Sequence, residues 1–332
     1  MELEKVVNKH SMRSIARCVI LAVLSLAAGS AAAQSYPNRP IKLVVPYSAG
    51  GPVDVTARIV SDRLGEVLQQ RVLVENRAGG NAVIGADYVA KSAADGYTLL
   101  VAAPAFTTNM SLVKNITYDA VKDFVAVSWL TDQPLFVTVH PSVPAAGVPE
   151  LIALLKANPD KYNYGTSGTG GPQHLFGEMF KTATGTKITH VPYKGAAPAS
   201  TALLSGETQI SFSTPTNTFP FVKAGKLRAL AVSTAKRSVF GPDLPTMGEL
   251  GYSGFNYSSW IGVLAPAGTS RDIVQRLHEA IAKVLGEKEV RDKFFTQGMD
   301  VMASTPESFA EFIKADVARS AKIVKDNAIQ PE

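Results

Sequence analysis

IKLVVPYSAGGPVDVTARIVSDRLGEVL, residues Ile41 to Leu68, reads as a strand, a glycine turn and a helix. Ile41, Leu43, Val44 and Val45 form the short, nearly continuous apolar run of a strand buried on both faces in a parallel sheet. Gly50, Gly51 and Pro52 end it. Pro52 suits the first helical position, where its missing N–H is no loss, and Asp54 falls in the first turn, where the helix dipole favours a carboxylate. Val53, Ala57, Val60, Leu64 and Leu68 recur at helical spacing and give one face to bury. The turn Ser48, Ala49, Gly50, Gly51 has little side chain and ends at a helix N-terminus, so its N–H groups can receive an anion. The plainer alternative is a simple strand-to-helix connection. A second such turn later in the chain shifts the balance toward function.

Working outward, Val72–Val74 forms another short strand, and a turn at residues 76–81 leads to a helix ending near Lys91. Tyr97–Ala102 is a third strand, so the chain alternates strands and helices as a parallel α/β sheet does. Phe106, Thr107 and Thr108 follow that strand and are expected at the same carboxyl edge as the first turn, where open sheets bind ligands. An apolar strand at Leu135–His140 and the Pro-punctuated segment after it look like a crossing into a second lobe. There the rhythm restarts through strands near residues 162–164, 188–191, 209–212 and 227–232, and the strand Tyr257–Leu264 returns the chain. The expected organisation is a domain I of residues 34–138 and 258–332 and a domain II of 139–257. The fold class is α/β with two mainly parallel sheets flanked by helices, joined by two crossing strands that form a hinge.

Residues 1–33 are expected to be a signal peptide. Arg13 and Arg17 precede a short apolar run, and Ala31 and Ala33 supply small residues for cleavage before Gln34, giving export to the periplasm. Cys18, the chain's one cysteine, lies in that segment, so the exported protein is expected to contain no disulfide and no thiolate site. Two acids and four bases leave with it, so the net charge of +5 becomes +3. Spread without basic runs, this gives no support for nucleic-acid binding.

The second turn is YGTSGTGGPQH, residues 164–174. It follows a strand, puts Pro172 at the first helical position, and leads into Leu175, Phe176, Met179 and Phe180 at helical spacing. It lacks the Walker ending and the dinucleotide glycine spacing. Two anion-ready turns, one per lobe and neither containing Arg or Lys, suggest a small carboxylate gripped from both sides. Lys194 is the nearest candidate cation. An exported hydrolase using Ser167 and His174, with Asp54, is the alternative; no G-x-S-x-G elbow supports it. No metal-ligand spacing occurs, and no catalytic residue, metal or cofactor is expected.

PYSAGGPVDVTAR (46–58), ENRAGGNAVIGADYVAKSAADGYTLL (75–100), NYGTSGTGGPQHLFGEMF (163–180), HVPYKGAAPA (190–199) and WIGVLAPAGT (260–269) together resemble the Bug family, the receptors of tripartite tricarboxylate transporters. The resemblance covers essentially the whole mature chain. It implies a two-lobed periplasmic binding protein of the Venus-flytrap type, without catalysis, that captures a small carboxylate for membrane transporter subunits or a sensor kinase. A monomer is expected. The ligand-binding residues the resemblance implies are Tyr47, Ser48, Ala49, Gly50 and Gly51 in the first lobe, with Asp54 supporting that loop, and Thr166, Ser167, Gly168, Thr169, Gly170 and Gln173 in the second; His174, in the first turn of its helix, is expected as a hydrogen-bonding or lining residue beside them. Tyr193, Phe106, Thr107, Ser213 and Thr214 complete the expected cleft. Many members carry a His and small residues where this chain has Phe106–Thr108, and an Asp near Ser213–Pro215. The ligand implied is an aliphatic dicarboxylate or an aromatic carboxylate.

Overall fold

The computed structural model describes residues 36–193 and 195–330. The expected signal segment, its cleavage site and Lys194 lie outside the described residues. The elements below all fall in one compact unit, Pro40–Glu332; Tyr36–Arg39 belongs to the preceding unit.

The chain runs β1 (Ile41–Val45), α1 (Pro52–Leu68), β2 (Val72–Asn76), α2 (Val83–Ala90), β3 (Thr98–Ala102), α3 (Ala105–Leu112) and β4 (Phe124–Asp132). It continues through β5 (Phe136–Val139), α4 (Val148–Ala157), β6 (Asn163–Thr166), α5 (Pro172–Thr184), β7 (Thr189–Pro192), α6 (Ala196–Ser205), β8 (Ile210–Ser213), α7 (Pro215–Lys223) and β9 (Arg228–Val232). It closes with β10 (Ile261–Pro266), α8 (Arg271–Gly286), α9 (Lys288–Thr296), β11 (Asp300–Val301) and α10 (Pro306–Asp326).

Two sheets result, in the orders β11-β4-β10-β3-β1-β2 and β7-β6-β8-β5-β9. Each has a parallel section of three strands, β2-β1-β3 and β7-β6-β8, whose middle strand comes first in the chain. The chain therefore steps to one side of β1 or β6 and then to the other. That makes a topological switch point at their carboxyl ends, where open α/β sheets place ligands. Both glycine turns follow these middle strands. Antiparallel strands complete each sheet: β10 lies between β3 and β4, and β5 between β8 and β9.

The chain changes sheets at Gln133–Leu135, and β5 already pairs with β8 and β9, so the crossing comes a few residues before the expected boundary at 138. It returns through Tyr257–Ser259. The two crossings pair with each other: Gln133 N–H donates to Ser259 O at 3.1 Å and Ser259 N–H to Gln133 O at 2.8 Å. The buried Gln133 amide also donates to Thr216 Oγ1 at 2.9 Å and Gln297 O at 3.1 Å, which ties α7 to the segment after α9.

Each sheet has its own core. Val44, Leu100, Phe106, Trp260, Phe309 and Ile313 belong to the first. Tyr164, Phe176, Phe180, Ile210 and Phe212 belong to the second. α10 joins both: Phe309 and Ile313 lie in the first core, and Ile323 and Val324 in the second. No helix among the described residues is long and apolar enough to cross a membrane.

Candidate functional site

In the first turn Gly50 takes φ +83°, a left-handed conformation that glycine adopts at little cost. Gly51 caps α1 and Pro52 opens it. The Gly50 N–H donates to Asp54 Oδ2 at 2.9 Å. Asp54 is buried, and its carboxylate also accepts from Arg58 Nε at 2.9 Å and Asn76 Nδ2 at 2.9 Å, while the same Asn76 nitrogen reaches Tyr47 O at 3.1 Å. Burial opposes the charge on Asp54, but hydrogen bonds from Arg58, Gly50 and Asn76 outweigh it and hold the carboxyl down to about 2. Asp54 therefore fixes the turn as a permanent anion. Burial, with Tyr118 nearby, raises the Tyr47 phenol above its usual range.

The second turn repeats this construction. Gly170 takes φ +74°, Gly171 caps α5 and Pro172 opens it. The Gly170 N–H donates to the side chain four residues on, here His174 Nδ1, at 3.1 Å. Thr166 and Gln173 fasten the rest. Gly168 N–H reaches Thr166 Oγ1 at 3.3 Å, and Gln173 Oε1 accepts from the Ser167 N–H at 3.0 Å and its hydroxyl at 2.5 Å. Ser167 and His174, the proposed hydrolytic pair, thus turn to different partners.

A polar cluster supports this turn from below. The His174 and His190 rings stack 4.0 Å apart, 14° from parallel. His190 Nε2 is 2.7 Å from Thr166 Oγ1, and His174 Nε2 is 3.9 Å from Glu178 Oε1. Glu178 is held by Tyr164 Oη at 2.6 Å and Lys181 Nζ at 2.8 Å. Burial, then His174, and last Lys181 push His190 down to about 4, against an opposing pull from Glu178.

Several turn N–H groups expected to face an anion are therefore spent inside the turns, those of Gly50, Ser167, Gly168 and Gly170 among them. The amides of Ala49 and Val53 in the first lobe and Thr169 and Gln173 in the second have no partner among the described residues. These, with the two helix N-termini, are the donors open to a ligand.

The lobes meet at the second turn. A β-carbon on Gly170 would stand 2.6 Å from Leu112 Cδ1 and 3.4 Å from Asn81 Nδ2, both on the first lobe. A cavity of about 300 Å³ lies here, lined by Gly80, Asn81, Val83, Leu112, Val113 and Thr169, at the small end of ligand pockets. Asn81 is held by Asn109: each amide nitrogen donates to its partner, at 3.0 and 2.7 Å. Asn81 and Leu112 were not among the expected site residues, because each acts through a contact distant in the chain; the glycine pair Gly79–Gly80 was the available signal.

Two expected residues are corrected. Residues 105–112 form α3, and Phe106 turns into the first core, stacked 5.2 Å from Tyr118 and edge-on to Phe124 at 5.0 Å. Thr107 is fully buried and donates to Asp316 Oδ2 at 2.6 Å, where Trp260 Nε1 also donates at 2.9 Å. Neither residue faces the cleft. Ser213 and Thr214 do stand at the carboxyl end of β8, buried, with Ser213 Oγ against Ser211 Oγ. Tyr193 follows β7 and donates from Oη to Glu207 at 2.7 Å; burial, then Glu207, raises its phenol to about 12. Among the described residues, no group of three His, Cys, Asp or Glu side chains could hold a metal ion.

Comparison with known proteins gives consistent matches. Residues 56–329 match the family described as tripartite tricarboxylate transporter family receptor. Protein BugT of Bordetella pertussis is 38% identical over 312 residues, covering 92% of this chain and 96% of that protein. Rpa4515 of R. palustris, solved with adipate, superposes with a TM-score of 0.81 at 36% identity, covering 90% of this chain and all (100%) of that one. MatC of Rhodopseudomonas palustris, solved with bound malate, gives 0.78 at 28% identity, with 87% and 100% covered.

Proposed function

Because this chain belongs to the tripartite tricarboxylate transporter receptor family, we propose that it is a periplasmic receptor that closes its two lobes on a small organic carboxylate and delivers it to membrane transporter subunits or a sensor. The family is one of solute-binding receptors. The observation that carries the reading is the matched pair of turns, each built as Gly-Gly-Pro at the carboxyl end of a middle strand. Neither turn contains Arg or Lys, so the anion is met by amides, hydroxyls and helix N-termini. Hydrogen bonds to a charged acceptor are worth about 1.5–3 kcal/mol each, so several in a closed cleft replace an ion pair.

An aliphatic carboxylate is favoured. The case for an aromatic ligand rested on Phe106, which is spent in the core, and on the missing Asp near Ser213–Pro215, which suits a less polar aliphatic chain equally. Leu112, Val113 and Val83 offer apolar contact to a chain beside Thr169.

The test is a thermal-shift panel of aliphatic mono- and dicarboxylates, adipate and malate included, with aromatic acids as controls. A ligand at a hundredfold excess over Kd adds about 2.7 kcal/mol to the folded state. The aliphatic acids are expected to raise Tm with concentration. No shift from any carboxylate, after unfolding and refolding to strip co-purified ligand, overturns the reading. Hydrolysis of a simple ester by the purified protein would favour the enzyme alternative instead.

A further inference from the structure

The two turns make one bond in common and close it with different chemistry. In each, the N–H of the left-handed glycine is accepted by the side chain four residues on: Asp54 for Gly50, His174 for Gly170. A carboxylate as acidic as Asp54 keeps that bond throughout ordinary pH. An imidazole keeps it only while Nδ1 carries no proton, because a protonated ring donates from both nitrogens.

We propose that His174 and His190 are positioning residues that make ligand capture proton-linked: as neutral imidazoles they set the second turn, and acidification releases it while the first turn stays set. This rests on the carboxylate-receptor reading of the cleft. Neutral His174 has its proton on Nε2, toward Glu178, and accepts from Gly170 at Nδ1. A second proton places N–H against N–H at Gly170. The turn then moves, and with it the open Thr169 amide and the contact on Leu112 and Asn81.

His190 sharpens the effect. Its ring lies on that of His174, so two imidazoliums would face each other at 4.0 Å, and the pair takes up protons in coupled steps. Its Nε2 meets Thr166 Oγ1, which receives the Gly168 N–H, so both imidazoles are bonded into the turn. Among the described residues, the charged and titratable groups that meet the pair are Glu178 and Lys181 on α5 and Tyr164 on β6. Glu178 is already engaged by Tyr164 and Lys181. The sign is fixed by His190, whose folded value lies below the ordinary 6.5. The unfolded chain binds more protons between those values, so stability is level above pH 6.5 and falls as the pH drops toward 4.

The first arm needs no ligand. In the ligand-free protein the imidazole C–H resonances, assigned with single His variants, are followed by NMR from pH 8 to pH 3.5. His190 is expected to titrate near 4 and to move upward in His174→Asn, which removes the neighbouring ring. A midpoint for His190 at the ordinary 6.5, or no response to His174→Asn, overturns the proposal. The second arm titrates adipate into the wild type and into His174→Asn at pH 7.5 and pH 4, the variant correcting for protonation of adipate itself. The wild type is expected to lose at least about twofold more affinity at pH 4 than the variant does, and Asp54 is not expected to contribute to that difference. His174→Ala is expected to bind more weakly at pH 7.5 than His174→Asn, whose amide oxygen can replace Nδ1. His174→Asn is expected to flatten the pH profile. Equal loss in both variants with an unchanged profile overturns the proposal. Failure of adipate and of every other carboxylate to bind speaks against the receptor reading, and the NMR arm still decides on the histidine pair.

Discussion

Gly170→Ala separates the cost of a turn from the cost of closing the lobes. The substitution adds a β-carbon to a residue at φ +74°, a strain of about 1–2 kcal/mol whether the lobes are apart or together. The new carbon also stands 2.6 Å from Leu112 Cδ1, which belongs to the other lobe. Such overpacking costs about 1–3 kcal/mol, and it exists only when the lobes meet. The first term lowers the stability of the second lobe; the second enters the affinity. At about 1.4 kcal/mol per factor of ten, ligand binding should weaken by roughly 5- to 150-fold. Isothermal titration with the carboxylate that gives the largest thermal shift measures the affinity, and urea unfolding measures the stability. Leu112→Val removes the offending methyl, so Gly170→Ala/Leu112→Val should regain most of the affinity but none of the strain. Additive losses in the double variant would refute the interlobe clash.

Gly50→Ala is expected to cost only the backbone strain of about 1–2 kcal/mol, since a β-carbon there meets nothing within 4 Å; urea unfolding should register it, and Leu112→Val should not rescue it. Asp54→Ala should destabilise the first lobe by about 1.5–3 kcal/mol by leaving the Gly50 amide and Arg58 without their acceptor. Because the Asp54 carboxyl is lowered from 3.8 to about 2, its contribution is complete above pH 3.8 and lost as the pH falls through 2, so acid unfolding of the variant should be shallower in that window. Phe106→Ala should cost about 3–5 kcal/mol of stability, read by calorimetry, with no selective loss of aromatic over aliphatic carboxylates.

Both glycine turns and the alternating sheet pattern around them were legible because their causes are local. Apolar runs, Gly-Gly-Pro and the helical spacing after it act within a few residues, and even the repeat of an acceptor four residues past the glycine can be read from GGPVD and GGPQH. Phe106 was misplaced for the opposite reason. AFTTNMSL has weak helical periodicity, and what makes it α3 includes a hydrogen bond from Thr107 to Asp316, 209 residues away. The stack of His190 on His174 depends on the parallel register of β6 and β7, which sets His190 beside Tyr164. The parts of the site held by such distant pairings, Asn81 and Leu112 included, needed coordinates.

The two paired crossings are not the sole mechanical link between the lobes. α10 is 21 residues long, about 31 Å, and is rooted in the first core by Phe309 and Ile313 and in the second by Ile323 and Val324. A helix of that length is a stiff rod, so it acts as a third tether. Any opening must either swing about an axis near the rod or pull its far end out of the second lobe. The second route uncovers two aliphatic side chains at about 1.5–3 kcal/mol each, a load the crossings alone would not impose. Gape is thereby limited by how firmly the last turns of α10 are seated in the second core, and not only by the residues that meet the ligand.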